Sequence, residues 1–251
     1  HSAQNEQDSR YFADFAMVPC LEPADQQQCY DFTRQAFELS EALQVPVLLR
    51  LVTRLAHSRA AVRSGPRRAP NAAHWVPGPD RFTLIPVNAR KAYAALVGKQ
   101  SALQDWSVAH EVNRLSIQGH GRPGILVSGI AWNYLVEALG DRLADYNVLR
   151  IGAYPLPIEK IRSLLDASSE VHVVEEGYPF IERYVSALGL MRERRILGKL
   201  TGALPRTGEL GPDAIRRCFG LPVAPALQLP GLSEVLVGRP PRLCDKCPHT
   251  D

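Results

Sequence analysis

Aromatic residues are scarce in this chain, at 7% of its 251 residues, which leaves little for the stacking platforms of single-stranded nucleic-acid binders. Charge of one sign is scarce too. The 29 Lys and Arg against 26 Asp and Glu leave a net +3, too small a surplus to argue for a polyanionic partner, so no nucleic acid is expected. No apolar run approaches the roughly 20 residues that a membrane-spanning helix needs, and no membrane partner is expected. Cysteines number only five, scattered at Cys20, Cys29, Cys218, Cys244 and Cys247. An odd, dispersed set is not a disulfide framework, and a reducing cytoplasm is the expected setting. Internal repeats and the GxSxG, HExxH and phosphate-loop patterns are also missing. What remains is 45% hydrophobic and 22% charged, the profile of a globular protein with one large or two ordinary domains.

An initiator methionine is missing as well. The chain opens His1-Ser2-Ala3-Gln4-Asn5-Glu6-Gln7-Asp8-Ser9-Arg10, with one apolar residue in ten. Composition alone favours a solvated tail. Yet the run leads directly into residues 11–17, which have helical apolar spacing, and then into the short strand and turn Val18-Pro19-Cys20-Leu21-Glu22-Pro23. A polar run continuous with packed structure is expected to be a loop between core elements, and such loops concentrate binding and catalytic groups.

Residues 23–57 form an αβ unit. Asp25 can cap a helix with Tyr30, Phe32, Ala36, Phe37, Leu39 and Leu43 on its apolar face. The apolar run at 45–52 lacks alternation, which predicts a strand buried on both faces, with Pro46 confining its start. It ends in Thr53-Arg54-Leu55-Ala56-His57-Ser58, polar groups at the strand's carboxyl end, the edge where open α/β sheets usually bind ligands. Residues 59–81 read as a linker in which the cluster Arg59, Arg63, Arg67 and Arg68 fits a solvated loop better than an anion patch. Residues 88–118 read as a helix of mixed quality.

The clearest pattern follows. Strands at 124–129, 147–152 and 170–174 alternate with helices at 131–139, 157–165 and 180–188, and Arg195-Ile196-Leu197-Gly198 can add a fourth strand. Short loops between alternating strands and helices call for right-handed crossovers and a parallel, three-layer sheet. After residue 210 the periodicity fades into a proline-rich extended segment with one short helix at 212–219.

Few residues stand out as chemical candidates. Cys244-Asp245-Lys246-Cys247-Pro248-His249 has the spacing of half a zinc or iron–sulfur site, or of a thiol pair. Glu175-Glu176 sits at the favoured edge after the third strand. The pair can serve acid–base work or hold a cation; the blander alternative has one carboxylate capping the next helix and the other facing water. His172, inside an apolar strand, reads as a satisfied core histidine. Tyr154-Pro155-Leu156-Pro157 reads as a rigid turn.

Taken in order, these pieces resemble the α subunit of indolepyruvate:ferredoxin oxidoreductases. The opening loop through Asp8-Ser9-Arg10, Leu49-Arg50, Thr53-Arg54 and His57-Ser58 carries the first part of the likeness. Ser128-Gly129-Ile130, Tyr154-Pro155-Leu156-Pro157, Val174-Glu175-Glu176-Gly177-Tyr178-Pro179-Phe180-Ile181-Glu182 and Gly208-Glu209-Leu210 continue it. Arg239-Pro240-Pro241, Leu243-Cys244 and Cys247-Pro248-His249 close it. The likeness covers nearly the whole chain, weakly over 59–120. The chain departs from the family pattern at Ala3, where a second serine is usual, at Asp245-Lys246 in place of Pro-Gly, and at Thr250 in place of a basic residue.

The resemblance implies an internal fragment of α/β class. Residues 1–60 would end a domain that binds the thiamine pyrimidine, 61–120 would bridge, and 121–210 would form a transketolase-C-terminal-like three-layer domain with a mostly parallel sheet. Residues 211–243 would be an extended linker, and 244–251 would begin a truncated diphosphate-binding domain. The implied chemistry is coenzyme-A-dependent oxidative decarboxylation of indolepyruvate or another aryl pyruvate. In the complete subunit it would use thiamine diphosphate, Mg2+ and 4Fe-4S clusters, with a β subunit and ferredoxin as partners, and the fragment alone would be inactive. His1 and Arg54 are the catalytic candidates, Ser2, Gln4, Asn5 and Arg50 the substrate- or cofactor-binding ones, and Cys244 and Cys247 candidate cluster ligands. Arg50 can equally be a structural ion pair. The competing readings are a non-catalytic interaction or assembly module on the same fold, and a metal-binding module built on Cys244 and Cys247.

Overall fold

The polar opening gives way at Arg10 to a short helix, α1 (Arg10–Ala16), which Met17 ends in a left-handed conformation. In this computed structural model, which describes residues 7–70, 72, 78–190, 193–223 and 225, the next apolar pair forms β1 (Cys20–Leu21). Asp25 then caps α2 (Gln26–Leu43), its carboxylate accepting the Gln28 backbone N–H at 2.8 Å, as its place before an amphipathic run requires. The chain continues through β2 (Leu48–Leu49), the single turn α3 (Thr53–Ala56) and α4 (Pro79–Phe82). The expected long helix is two, α5 (Pro86–Gly98) and α6 (Gln100–Ala109).

The second half alternates as its sequence predicts. After β3 (Leu115–Ser116) come β4 (Arg122–Ser128), α7 (Ala131–Leu139), β5 (Asn147–Ile151), β6 (Ala153–Tyr154), α8 (Ile158–Ala167), β7 (Ser168–Val174), α9 (Phe180–Leu190), β8 (Arg195–Leu197) and α10 (Pro212–Cys218). β5, β4, β7 and β8 are parallel neighbours, with β3 antiparallel at the β5 edge. The expected α/β class with a mostly parallel sheet is therefore present, fourth strand included. The central residues Ile125, Leu126, Val127, Val171, Val173 and Val174 are fully buried, as strands covered on both faces must be.

Two expectations for the opening half are revised. The apolar run at 45–52 makes only two strand residues, both half-buried. β2 is the outer strand of a small sheet ordered β2-β1-β6, and an edge strand has a neighbour on one side only. In α2, Phe32 is the buried anchor, whereas Phe37 of the expected apolar face is 73% exposed.

The small sheet also joins regions far apart in sequence. β1 pairs parallel with β2 and antiparallel with β6, so Tyr154, expected in a turn, is a strand residue beside Cys20. The described residues up to Leu221 cluster as one compact unit.

Candidate functional site

Strand β7 delivers Glu175 and Glu176 to the carboxyl edge of the large sheet. Glu175 turns back over the first turn of α9, where its two oxygens accept the backbone N–H groups of Ile181 and Glu182, each at 3.0 Å. That is the helix-capping role foreseen for one of the pair. Glu176 does not face water, as the other was expected to; it is only 9% exposed.

Against this edge lies a cluster of charges drawn from the opening half. Arg10, at the first position of α1, is 1% exposed and every face of its guanidinium is used. Its Nε and Nη2 donate to the two oxygens of Asp8 at 2.9 and 2.5 Å, and Nη2 also reaches the carbonyls of Glu176 and Tyr178, both at 3.0 Å. Its Nη1 lies 2.8 Å from Glu175 Oε2. Burial works against the charge on Arg10, but Glu175 and Glu22 more than restore it and its pKa is raised.

Arg50, at the end of the run that forms β2, enters the same cluster. Its Nη1 pairs with Glu22 Oε1, its Nε lies 3.3 Å from Asp8 Oδ1, and its Nη2 donates to the Glu176 carbonyl at 3.1 Å. The Tyr154 hydroxyl donates to the other Glu22 oxygen at 2.5 Å. Burial first, and then the Glu22 charge, push the Tyr154 phenol well above its ordinary range. For Asp8, burial favours the neutral acid. The Arg10 hydrogen bond and charge, with the charge of Arg50, outweigh it, and the carboxyl lies below its usual 3.8. The arrangement is satisfied, as a buried ionic cluster must be to persist. Glycine is needed beside it. Gly177 has φ +84°, and a Cβ there would lie 2.9 Å from both Arg50 Nη2 and Asp8 Oδ2.

Four residues beyond Arg50 the situation changes. Arg54, on α3, is 42% exposed at its side chain and pairs with Glu209 at 2.6 Å. It also donates to the Leu210 carbonyl at 3.3 Å and lies over the Tyr134 ring, 5.1 Å from its centroid. Between this arginine and Glu176 is a cavity of about 90 Å³, lined also by Gln7, Ser9, Thr53 and Tyr134. Glu176 Oε1 accepts the Leu210 backbone N–H at 3.2 Å, whereas Oε2, also buried, has no hydrogen-bond partner among the described residues. Burial raises the Glu176 carboxyl above its ordinary range; the Leu210 N–H and the charges of Lys199, Arg50 and Arg54 offset this only in part.

Of the candidates read from sequence, Arg50 and Arg54 thus meet at one cavity, Arg50 with its donors committed to the ionic cluster. His1, Ser2, Gln4 and Asn5 lie outside the described residues, as do Cys244 and Cys247. Among the described residues no group of three or more His, Cys, Asp or Glu is arranged to hold a metal. His172 is a satisfied core histidine, 8% exposed, with Nε2 3.4 Å from Glu170 and Nδ1 3.7 Å from Cys218 Sγ. Arg59, Arg63, Arg67 and Arg68 of the linker are exposed, and Arg68 pairs with Glu38. A larger cleft of about 680 Å³, bordered by Phe32, Trp132 and Arg150, contains none of the candidates. Sequence reasoning assigned no site role to Arg10, Asp8 or Glu22, and read Tyr154 as part of a rigid turn. The one available signal for the first two was the motif Asp8-Ser9-Arg10, charged residues set immediately before a helix with an apolar face.

No family model matches the chain. It aligns over 99% of its length, at 39% identity, with the indolepyruvate oxidoreductase subunit IorA of Methanothermobacter thermautotrophicus. The subunit of the same name from Archaeoglobus fulgidus is 32% identical over 100% of the chain, and that from Thermococcus kodakarensis is 30% identical over 99%. The chain spans 41% of the length of each. Among solved structures, the 2-oxoglutarate:ferredoxin oxidoreductase of Magnetococcus marinus superposes with a TM-score of 0.49 at 14% identity, over 77% of this chain and 42% of that one. That likeness is too loose to bear on function.

Proposed function

We propose that this chain is the central part of a 2-oxoacid:ferredoxin oxidoreductase catalytic subunit acting on indolepyruvate or a related aryl pyruvate. In that role residues 1–60 end the pyrimidine-binding domain, 61–120 bridge, 121–210 form the transketolase-C-terminal-like domain, and the cysteine pair at Cys244 and Cys247 opens the diphosphate-binding domain. The observation that carries the reading is the end-to-end alignment with subunits named for indolepyruvate oxidoreduction. A non-catalytic assembly module has no comparable observation behind it.

Thiamine diphosphate would supply the ring that accepts the electrons released on decarboxylation, with coenzyme A taking the acyl group and ferredoxin the electrons. The cavity of about 90 Å³ beside Glu176 is too small for that cofactor, so no step through it is assigned to the residues there. What they can do is hold an anionic group of a substrate. Arg54 offers positive charge at the rim, and Arg50 holds the main chain of Glu176 in place.

The test is to express the complete native protein with its partner subunit and assay coenzyme-A-dependent reduction of ferredoxin by indolepyruvate, phenylpyruvate and pyruvate, with and without added thiamine diphosphate. Reduction driven by the aryl oxoacids and dependent on the cofactor is expected. No reduction with any aryl oxoacid would sink the assignment.

A further inference from the structure

A buried carboxyl oxygen without a partner is rare, because its desolvation goes uncompensated. Glu176 presents one. Its Oε1 is occupied by the Leu210 N–H, and its Oε2 has no hydrogen-bond partner among the described residues. The charged groups nearby are directed elsewhere. Arg50 donates to Asp8, Glu22 and the Glu176 carbonyl and Arg54 to Glu209 and the Leu210 carbonyl, while Lys199, whose Nζ donates to the Gly177 carbonyl at 2.5 Å, acts on Glu176 through its charge. The ionised form would therefore be a charge enclosed with one direct hydrogen bond. The neutral form carries a proton that needs an acceptor, and the cavity is where an acceptor can enter.

The volume limits what enters. About 90 Å³ is the space of roughly three waters at about 30 Å³ each, enough for a carboxylate-sized group and too little for an aromatic side chain. At the rim the Arg54–Glu209 pair is half-exposed and of the class that contributes little to stability, so an incoming anion can take over the arginine without loss to the fold. Tyr134, 7% exposed, also lines the cavity, with its ring under the Arg54 guanidinium.

We propose that this cavity is a binding site for a carboxylate-sized oxyacid group, which accepts a hydrogen bond from protonated Glu176 Oε2 and is balanced by Arg54. Naming that group as the carboxylate of a 2-oxoacid rests on the function proposed above; the site itself rests on the orphaned oxygen and the cavity. Binding takes up or retains one proton at Glu176, so affinity weakens as pH rises through its titration. Among the described residues, Arg50, Arg54, Lys199, Tyr134 and Glu209 are the other charged or titratable groups facing it.

Calorimetric binding of phenylpyruvate to the complete native protein, at mildly acidic and mildly alkaline pH, tests this without reliance on turnover. Wild type should bind more weakly at the alkaline pH. Glu176→Gln keeps an N–H donor and should bind with an affinity that no longer changes with pH. Glu176→Leu should lose roughly tenfold or more, the scale of a hydrogen bond to a charged group. A Leu variant that binds like wild type, or a Gln variant that keeps the wild-type pH dependence, overturns the site. The Gln comparison decides the matter even if the Leu variant fails to fold. Binding with this dependence but no ferredoxin reduction would retain the site and reject the proposed function. Ferredoxin reduction without any such dependence would do the reverse.

Discussion

Arg50 and Arg54 are four residues apart and belong to the same stretch of the sequence likeness, yet they occupy opposite physical situations. Arg50 is 6% exposed, with donors committed to Asp8, Glu22 and a main-chain carbonyl. Arg54 is half-exposed, held by a surface carboxylate and a ring face. A guanidinium whose donors are all engaged inside the protein has nothing left to offer a ligand. One whose partner is exchangeable does. The comparison teaches that residue type and place in a motif identify a neighbourhood, while hydrogen-bond accounting separates the residues that build it from those that can bind in it.

The sharpest break in that comparison is Arg10→Met. It leaves Asp8 and Glu175 enclosed without their main counter-charge, and removing one member of a buried ionic group costs about 3–5 kcal/mol. Denaturant unfolding should register that loss or outright failure to fold. Wild-type stability would mean the cluster is not the structural element described. Next in size is Gly177→Ala. It places a Cβ against Arg50 and Asp8 on a backbone with φ +84°, for which about 1–3 kcal/mol is expected by thermal melting. A neutral result would show that the cluster yields more than its packing implies.

Acid sensitivity comes third. The Asp8 carboxyl is lowered from 3.8 in the folded protein, so the native state binds fewer protons there than the unfolded chain. The stability it contributes is present above pH 3.8 and is lost as pH falls toward the depressed folded value. Asp8→Asn should flatten that limb of a stability-against-pH curve, and an unchanged limb would assign the acid sensitivity elsewhere. Smallest is Arg54→Ala. A half-exposed pair contributes about 0–1 kcal/mol, so melting should barely move while phenylpyruvate affinity falls. If stability drops as far as in Arg10→Met, Arg54 is not different in kind from the arginines of the buried cluster.

Much of the fold was legible because it is written in local pattern. The runs around Ile125, Val148 and Val171, each followed within a few residues by a helical period, admit little besides parallel crossovers. The bounds of α7 agree with those expected, and the strands and helices around it differ by a residue or two. The edge position of β2 was not legible, since an apolar run does not say how many neighbours its strand will have. Nor was the ionic cluster. Arg10 meets Glu175 and Tyr178 across more than 160 residues of sequence, and Glu22 meets Tyr154 across 132, so no spacing rule connects them. That one of Glu175 and Glu176 caps α9 was legible from their place before it; that it is Glu175 was not. Glu176 looked the same on paper; only the fold buries it.

The central claim is that the exchangeable arginine and the orphaned carboxyl, rather than the saturated cluster beside them, receive the ligand. A crystal structure of the complete native protein soaked with phenylpyruvate tests it most directly. The account predicts the carboxylate in the cavity, within hydrogen-bond distance of Glu176 Oε2 and Arg54, with the Asp8, Arg10, Glu22 and Arg50 contacts unchanged. A carboxylate held by Arg50, with the cluster opened to admit it, would contradict the account.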